Sequence, residues 1–134
     1  RSTLISNGHG KVVELPSEKQ LFEIYKESQS IVCLFYNHSE KRRMELLLKI
    51  MDSIAKSQIR LRFVTICSDR APFLRKKQVI STPVEIIFIK EGSVLKHLDC
   101  DEWLRSEMPE TAMESRLKEL CEKFMKLKKR IVEN

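Results

Sequence analysis

Paired cysteines, glycine, proline and long apolar runs are all scarce in this chain. Its four cysteines, Cys33, Cys67, Cys100 and Cys121, are scattered through 134 residues. That spacing excludes both a CxxC redox pair and a metal knuckle. Cys33 lies in an apolar run and Cys121 on an apolar helical stripe, as small buried hydrophobes do. The pattern leads us to expect a reducing, cytoplasmic setting. No apolar stretch approaches the roughly 20 residues of a membrane-spanning helix. There is no GxxxxGK[ST] phosphate loop, and His9, His38 and His97 are not at metal-ligand spacing. We therefore expect no nucleotide, metal or other cofactor. The opening residues, Arg1 to Ser6, are neither a signal peptide nor a start methionine. A segment upstream is accordingly expected.

Charge is plentiful but not one-sided. The chain carries 25 basic and 19 acidic side chains, a net charge of +6. The basic residues fall in separate groups: Lys41–Arg43, Lys56 with Arg60 and Arg62, Arg75–Lys77, and Lys126 with Lys128–Arg130. The single tryptophan, Trp103, sits beside Asp101 and Glu102, so no stacking platform accompanies the cations. A nucleic-acid interface built on Lys41–Arg43 and Arg75–Lys77 is therefore the weakest of the functional readings.

The three glycines and four prolines punctuate a regular series of elements. Gly8 and Gly10 close a polar lead-in, and Lys11–Leu15 reads as a short strand. Ser17 and Gln20 form a capping box for a helix of about three turns through Leu21, Phe22, Ile24 and Tyr25. Ile31–Tyr36 is a continuous apolar run, as in a strand covered on both faces. Ser39 is placed to cap the next helix, with Met44, Leu47, Leu48, Met51 and Ile54 at helical spacing. Leu61–Cys67 reads as a strand, and Ala71–Gln78 as a short helix with Pro72 in its first turn. Val84–Ile89 and Ser93–Leu98 are strands joined by a Glu91-Gly92 hairpin. After an acidic, irregular stretch, Thr111 and Glu114 open a last helix running to Ile131.

Strands that alternate with helices imply crossovers and a sheet covered on both faces. The fold class is thus α/β, with a central mixed sheet and a long C-terminal helix. We divide the chain into a lead-in (1–10), the main domain (11–98), and an acidic connector with an amphipathic helix of that same domain (99–134). The last helix would be about 30 Å long, more than the sheet needs to be covered. Its first half, with Met113, Leu117, Leu120 and Cys121, is expected to pack on the sheet. Its second half is expected to project, leaving Phe124, Leu127 and Ile131 partly exposed among lysines. Such a stripe would suit an acidic partner or a second copy of the chain.

Thr82-Pro83 before the fourth strand, followed by the Glu91-Gly92 hairpin, resembles thioredoxin. Gly8-His9-Gly10, Val32-Cys33 with Phe35-Tyr36, and Ala71-Pro72-Phe73-Leu74 resemble the phosducin-like branch of that superfamily. The resemblance spans residues 8 to 98 and implies a thioredoxin-like fold. It also implies a cis bond at Thr82-Pro83 facing the redox site, a bond type that proline tolerates best. The redox pair would fall on Glu40 and Arg43, or one residue earlier on Ser39 and Arg42. The family's buried acid would fall near Leu34. None of these positions holds a thiol, and thiol–disulfide exchange requires a thiolate. His38, in the same turn, has no partner that would make it catalytic.

The resemblance implies a non-enzymatic, redox-inactive binding protein: a co-chaperone of the cytosolic chaperonin for actin- or tubulin-type clients, or a regulator of G-protein βγ assembly. Candidate partner-binding residues are Arg75, Lys76, Lys77, Phe124, Leu127 and Ile131. The competing enzyme reading is a single-cysteine redox protein using an exposed Cys67 or Cys100.

Overall fold

The computed structural model describes residues 8–127. Five strands form one mixed sheet in the order β1-β3-β2-β4-β5. They are β1 (Val12–Glu14), β2 (Ser30–Tyr36), β3 (Arg62–Cys67), β4 (Val84–Lys90) and β5 (Ser93–Asp99). The helices are α1 (Glu18–Ile24), α2 (Lys41–Ser57), α3 (Pro72–Lys76), α4 (Cys100–Arg105) and α5 (Glu110–Lys126). β1 and β2 both run parallel to β3, whereas β4 is antiparallel to β2 and to β5.

β2 lies at the centre, and its alternate residues feed two separate cores. Val32, Leu34 and Tyr36 join Met44, Leu47, Ile50, Met51 and Ile54 of α2 and Met113, Leu117 and Cys121 of α5. Ile31, Cys33 and Phe35 join Leu21 and Ile24 of α1 and Leu74 of α3. The period of two along the strand is thus what assigns helices to opposite faces. Glu91 and Gly92 both take positive φ, 50° and 80°, which is the hairpin geometry that glycine makes accessible. The β4–β5 ladder shifts register between Phe88 and Ile89.

Several local expectations are corrected. α1 has seven residues, two turns rather than three, because the chain turns back after Ile24 and Ser28 N–H bonds its carbonyl. The Ser17 hydroxyl donates to Gln20 Oε1 at 2.5 Å instead of accepting a backbone N–H, so the first capping box is not formed. Ser39 is not a helix cap. Asn37 Oδ1 accepts its N–H at 3.0 Å and its hydroxyl at 2.9 Å, closing a 3-10 turn at His38–Glu40 ahead of α2. α5 starts at Glu110 after Pro109, which places Thr111 inside the helix.

The acidic connector contains a helix, α4. Asp99 caps it by accepting from Asp101 N at 3.0 Å and Glu102 N at 3.4 Å, and Cys100 and Trp103 anchor it in the core. Among the described residues no peptide bond is cis, so Thr82–Pro83 is trans. Side-chain hydrogen bonds hold this turn: Ser81 N, Thr82 N and the Thr82 hydroxyl all donate to Glu85 Oε1, and Asn37 N donates to the Pro83 carbonyl at 2.7 Å. Nothing there opposes the ordinary trans preference of about 0.5–1 kcal/mol.

Phe124 is also corrected: it is core rather than projecting. It is 2% exposed and stacks edge-to-face on Phe88 at 5.2 Å. Lys90 Nζ, 5.7 Å from the same ring, donates to the carbonyl of Met125 at 3.2 Å and to that of Leu127, closing the end of α5. Leu127 is exposed. Ile131 and Lys128–Arg130 lie outside the described residues.

The lead-in also joins the fold. His9 is buried, its Nδ1 2.8 Å from the Ile59 carbonyl and its Nε2 2.9 Å from Ser28 Oγ. A carbonyl only accepts, so Nδ1 carries the proton and neutral Nε2 accepts from Ser28. Burial, and secondarily the nearby Arg62 guanidinium, lower its pKa below the usual 6.5.

Two outcomes follow from this packing. Truncating Phe124→Ala should cost about 3–5 kcal/mol in denaturant unfolding, the range for a buried aromatic; a loss within error would place the ring outside the core. The folded state holds His9 less protonated than the unfolded state does, so its contribution is complete above pH 6.5 and declines as pH falls below that value. The drop in stability between about pH 7.5 and about pH 5.5 should therefore be smaller in His9→Gln than in the parent. Equal drops in the two proteins would sink this reading.

Candidate functional site

The rim at the ends of β2 and β3 and the start of β4 is where the sequence places a redox centre. β2 delivers Asn37 and the His38–Glu40 turn, β3 delivers Cys67 and Ser68, and β4 is preceded by Ser81–Pro83. Ser39 and Arg42 are exposed and point to no reactive partner. Glu40 and Arg43 form an ion pair of 2.5 Å. A carboxylate thus stands where the helix N-terminus favours an anion. Arg43 also reaches Asp101 Oδ1 at 3.5 Å, and Arg105 Nε binds the other oxygen of that carboxylate at 2.7 Å. Asp101 is only 7% exposed, so Arg43 helps neutralise a buried charge and ties α2 to α4.

No thiol is presented on this rim. All four cysteines are free and buried. Cys67 ends β3 with Sγ 4.0 Å from Asp69 Oδ2, and Cys100 is fully covered, so neither presents the exposed thiol that the competing enzyme reading requires. Burial pushes the thiols of Cys33 and Cys100 up, and that of Cys121 up to about 12, away from the thiolate form. Asp99 and Glu85 add to the effect at Cys100. Among the described residues no cluster of His, Cys, Asp and Glu is arranged to hold a metal ion.

Leu34, at the family's buried-acid position, is a core leucine. A buried acid does exist, at Glu85, opposite Phe35 in the β2–β4 register. Its Oε1 takes the Ser81 and Thr82 donors, and its Oε2 lies 2.6 Å from His97 Nδ1. The signal for it is one charge inside the otherwise apolar Val84–Ile89. Oε1 thus fastens the Pro83 turn, and Oε2 is committed to His97 of β5.

Between these elements lies a cavity of about 300 Å³ lined by Asn37, Ser68, Arg75, Ile80, Ser81, Thr82 and Pro83. It brings the predicted Thr82, Pro83 and Arg75 together but not Glu40, Arg43 or the last helix.

Lys76 and Lys77 are exposed at the end of α3, and there they flank an aromatic surface that the sequence reading missed. Phe73 is 51% and Phe22 36% exposed, meeting edge-to-face at 6.2 Å, with Tyr25 5.8 Å from Phe22 and Lys77 Nζ 5.8 Å from the Phe73 ring. Glu18 holds α3 in place by accepting from Phe73 N and Leu74 N, both at 3.0 Å. The available signal was Phe73 itself, beside a proline and next to the true core residue Leu74.

No protein-family model matches the chain. Over 90 residues it is 37% identical to Thioredoxin domain-containing protein 9 homolog of Arabidopsis thaliana, covering 67% of this chain and 42% of that protein. Over 88 residues it is 32% identical to Thioredoxin domain-containing protein 9 of Homo sapiens, covering 66% and 38%. Phosducin-like protein 3 of Drosophila melanogaster is 34% identical over 90 residues, covering 66% and 40%. The chain therefore spans about two fifths of the curated relatives it matches. In fold it is similar to a mutant thioredoxin from Halobacterium salinarum, with a TM-score of 0.68 at 13% identity, covering 90% of this chain and 96% of that one. Thioredoxin F from spinach chloroplast gives a TM-score of 0.60 at 18% identity, covering 78% and 88%. With a thioredoxin-type sheet and relatives of these names, the chain belongs to the phosducin-like branch of the thioredoxin superfamily.

Proposed function

We propose that this chain is a redox-inactive, non-enzymatic binding protein: the thioredoxin-like part of a phosducin-like co-chaperone acting in the cytoplasm with the cytosolic chaperonin. The observation that supports the loss of redox chemistry is the Glu40–Arg43–Asp101 chain of charges, at the positions where the resemblance puts the redox pair. The burial of Cys67 and Cys100 removes support from a single-cysteine enzyme. Trp103 is likewise buried, so it offers nucleic acid no stacking face. The family resemblance supports the chaperonin and its actin- or tubulin-type clients as partners, with G-protein βγ as the second partner class. The contact surface we assign is Phe73, Phe22 and Tyr25, flanked by Lys76 and Lys77, since exposed aromatic side chains are enriched at protein interfaces.

Insulin reduction with dithiothreitol as electron source should run no faster with the protein than with dithiothreitol alone; turnover above that background would refute the redox-inactive assignment. In a pull-down from cytosol with the full-length protein, mass spectrometry should find abundant chaperonin subunits. Phe73→Ala combined with Lys77→Glu should lower their recovery at least about tenfold, the effect of losing one hot-spot anchor, with the melting temperature unchanged. Absence of chaperonin from the intact protein's pull-down would overturn the co-chaperone reading.

A further inference from the structure

We propose that the aromatic face on α1 and α3 receives an acidic segment of a partner protein, with an apolar side chain on Phe22 and Phe73 and carboxylates on the lysines around them. This rests on the binding-protein reading and states the chemistry of the partner at that surface. Single exposed apolar residues are ordinary, whereas a contiguous patch with a polar rim marks an interaction site. Phe22 and Phe73 are two of the four large hydrophobic side chains exposed among the described residues. Their rings meet at 6.2 Å, and Tyr25 continues the patch 5.8 Å from Phe22. The patch is also held in advance. Leu21, Ile24 and Leu74 bury the inner sides of α1 and α3 in one core, and Glu18 of α1 accepts from Phe73 N and Leu74 N of α3. A partner therefore meets rings on two helices already fastened together, which lowers the ordering cost of docking.

Charge decides what kind of segment fits. Lys77 Nζ lies 5.8 Å from the centre of the Phe73 ring. Lys76 is one helical turn from Phe73, Lys19 is one turn from Phe22, and Lys26 follows Tyr25; all are exposed. None of these four lysines takes part in an ion pair among the described residues. The neighbouring acids are engaged elsewhere: Glu18 in the α3 contact, Glu27 with Arg62 at 2.8 Å, and Asp69 with Arg75 at 3.5 Å. On these two helices only Glu23, exposed beside Phe22, keeps a carboxylate without a side-chain partner among the described residues. The apolar patch thus has a positive rim, complementary to carboxylates. Nucleic acid shares the negative charge, but it needs open ring faces on which successive bases stack. Phe22 and Phe73 stand at 87° to each other and Lys77 lies over Phe73, so the rings give two bases no parallel faces. An apolar side chain flanked by Glu or Asp meets both features at once.

The probe is a fluorescein-labelled peptide of about 15 residues, with Leu and Phe at helical spacing among glutamates. The full chain is titrated into it at constant ionic strength, and fluorescence anisotropy reads binding. Binding should saturate, and it should weaken about tenfold or more when Ser replaces the Leu and Phe, or Gln the glutamates. Phe73→Ala should weaken it about tenfold or more, and Lys76→Gln with Lys77→Gln about fivefold or more, while Lys96→Gln on β5 should not. The melting temperature of Phe73→Ala should be unchanged, because the ring is half exposed, so lost binding is not lost folding. No saturable binding, equal binding of the Gln peptide, or equal affinity in Phe73→Ala overturns the proposal. Tighter binding of a labelled single-stranded oligonucleotide overturns it too. So does a dimer in sedimentation that Phe73→Ala abolishes, which would give the face to a second copy of the chain. The chaperonin pull-down is a separate readout: the acidic-segment assignment can fall while chaperonin recovery stands, and the peptide can bind where chaperonin is absent.

Discussion

Strand β2 is hydrogen-bonded along both edges and covered on both faces, and the rest of the molecule is arranged around that constraint. A strand so enclosed favours apolar side chains, and Ile31 to Tyr36 are all buried. Because odd and even residues serve different cores, a slip of one position would put both helical layers out of register. β2 therefore ends at one fixed point, Asn37, and that point sets the geometry of the rim.

Once the end of β2 is fixed, the chemistry of the rim follows from which side chains the surrounding turns supply. Asn37 closes the turn into α2 through Ser39 and grips Pro83 through its own N–H. Glu85 fastens the same Pro83 turn from below. Arg43 is drawn toward Asp101 instead of a nucleophile. The scaffold associated with thiol exchange thus retains its shape, while charge pairs and hydrogen-bond donors fill the places where sulfur would act.

Much of this was legible in the sequence. The apolar run at Ile31–Tyr36, the alternation in Leu61–Cys67, the helical spacing of Met44, Leu47, Met51 and Ile54, and the Glu91-Gly92 turn each reflect a strong local rule, and each element is present. The helix caps were less legible, because Ser17 and Asn37 choose between backbone and side-chain partners that differ little in energy. α4 escaped notice because six residues carry barely one repeat of helical periodicity. At the site, the absence of thiols could be read directly. The roles of Glu85 and the exposed Phe73 could not, since each depends on neighbours brought together only by the fold. Phe124 was misjudged for a related reason: periodicity identifies an apolar face but not how far the sheet beneath it extends.

The register shift in β5 has a consequence for how copies of this chain meet. An uninterrupted outer strand offers its free backbone groups to another chain, and regular spacing is what makes such an offer dangerous. Here the opposite outer strand, β1, is only three residues long, and β5 is interrupted beside Phe88 and carries the exposed Lys96 and His97. Both margins are thereby poor templates for sheet extension. The consequence is a sheet that further strands, including those of a second copy of this chain, are poorly placed to extend.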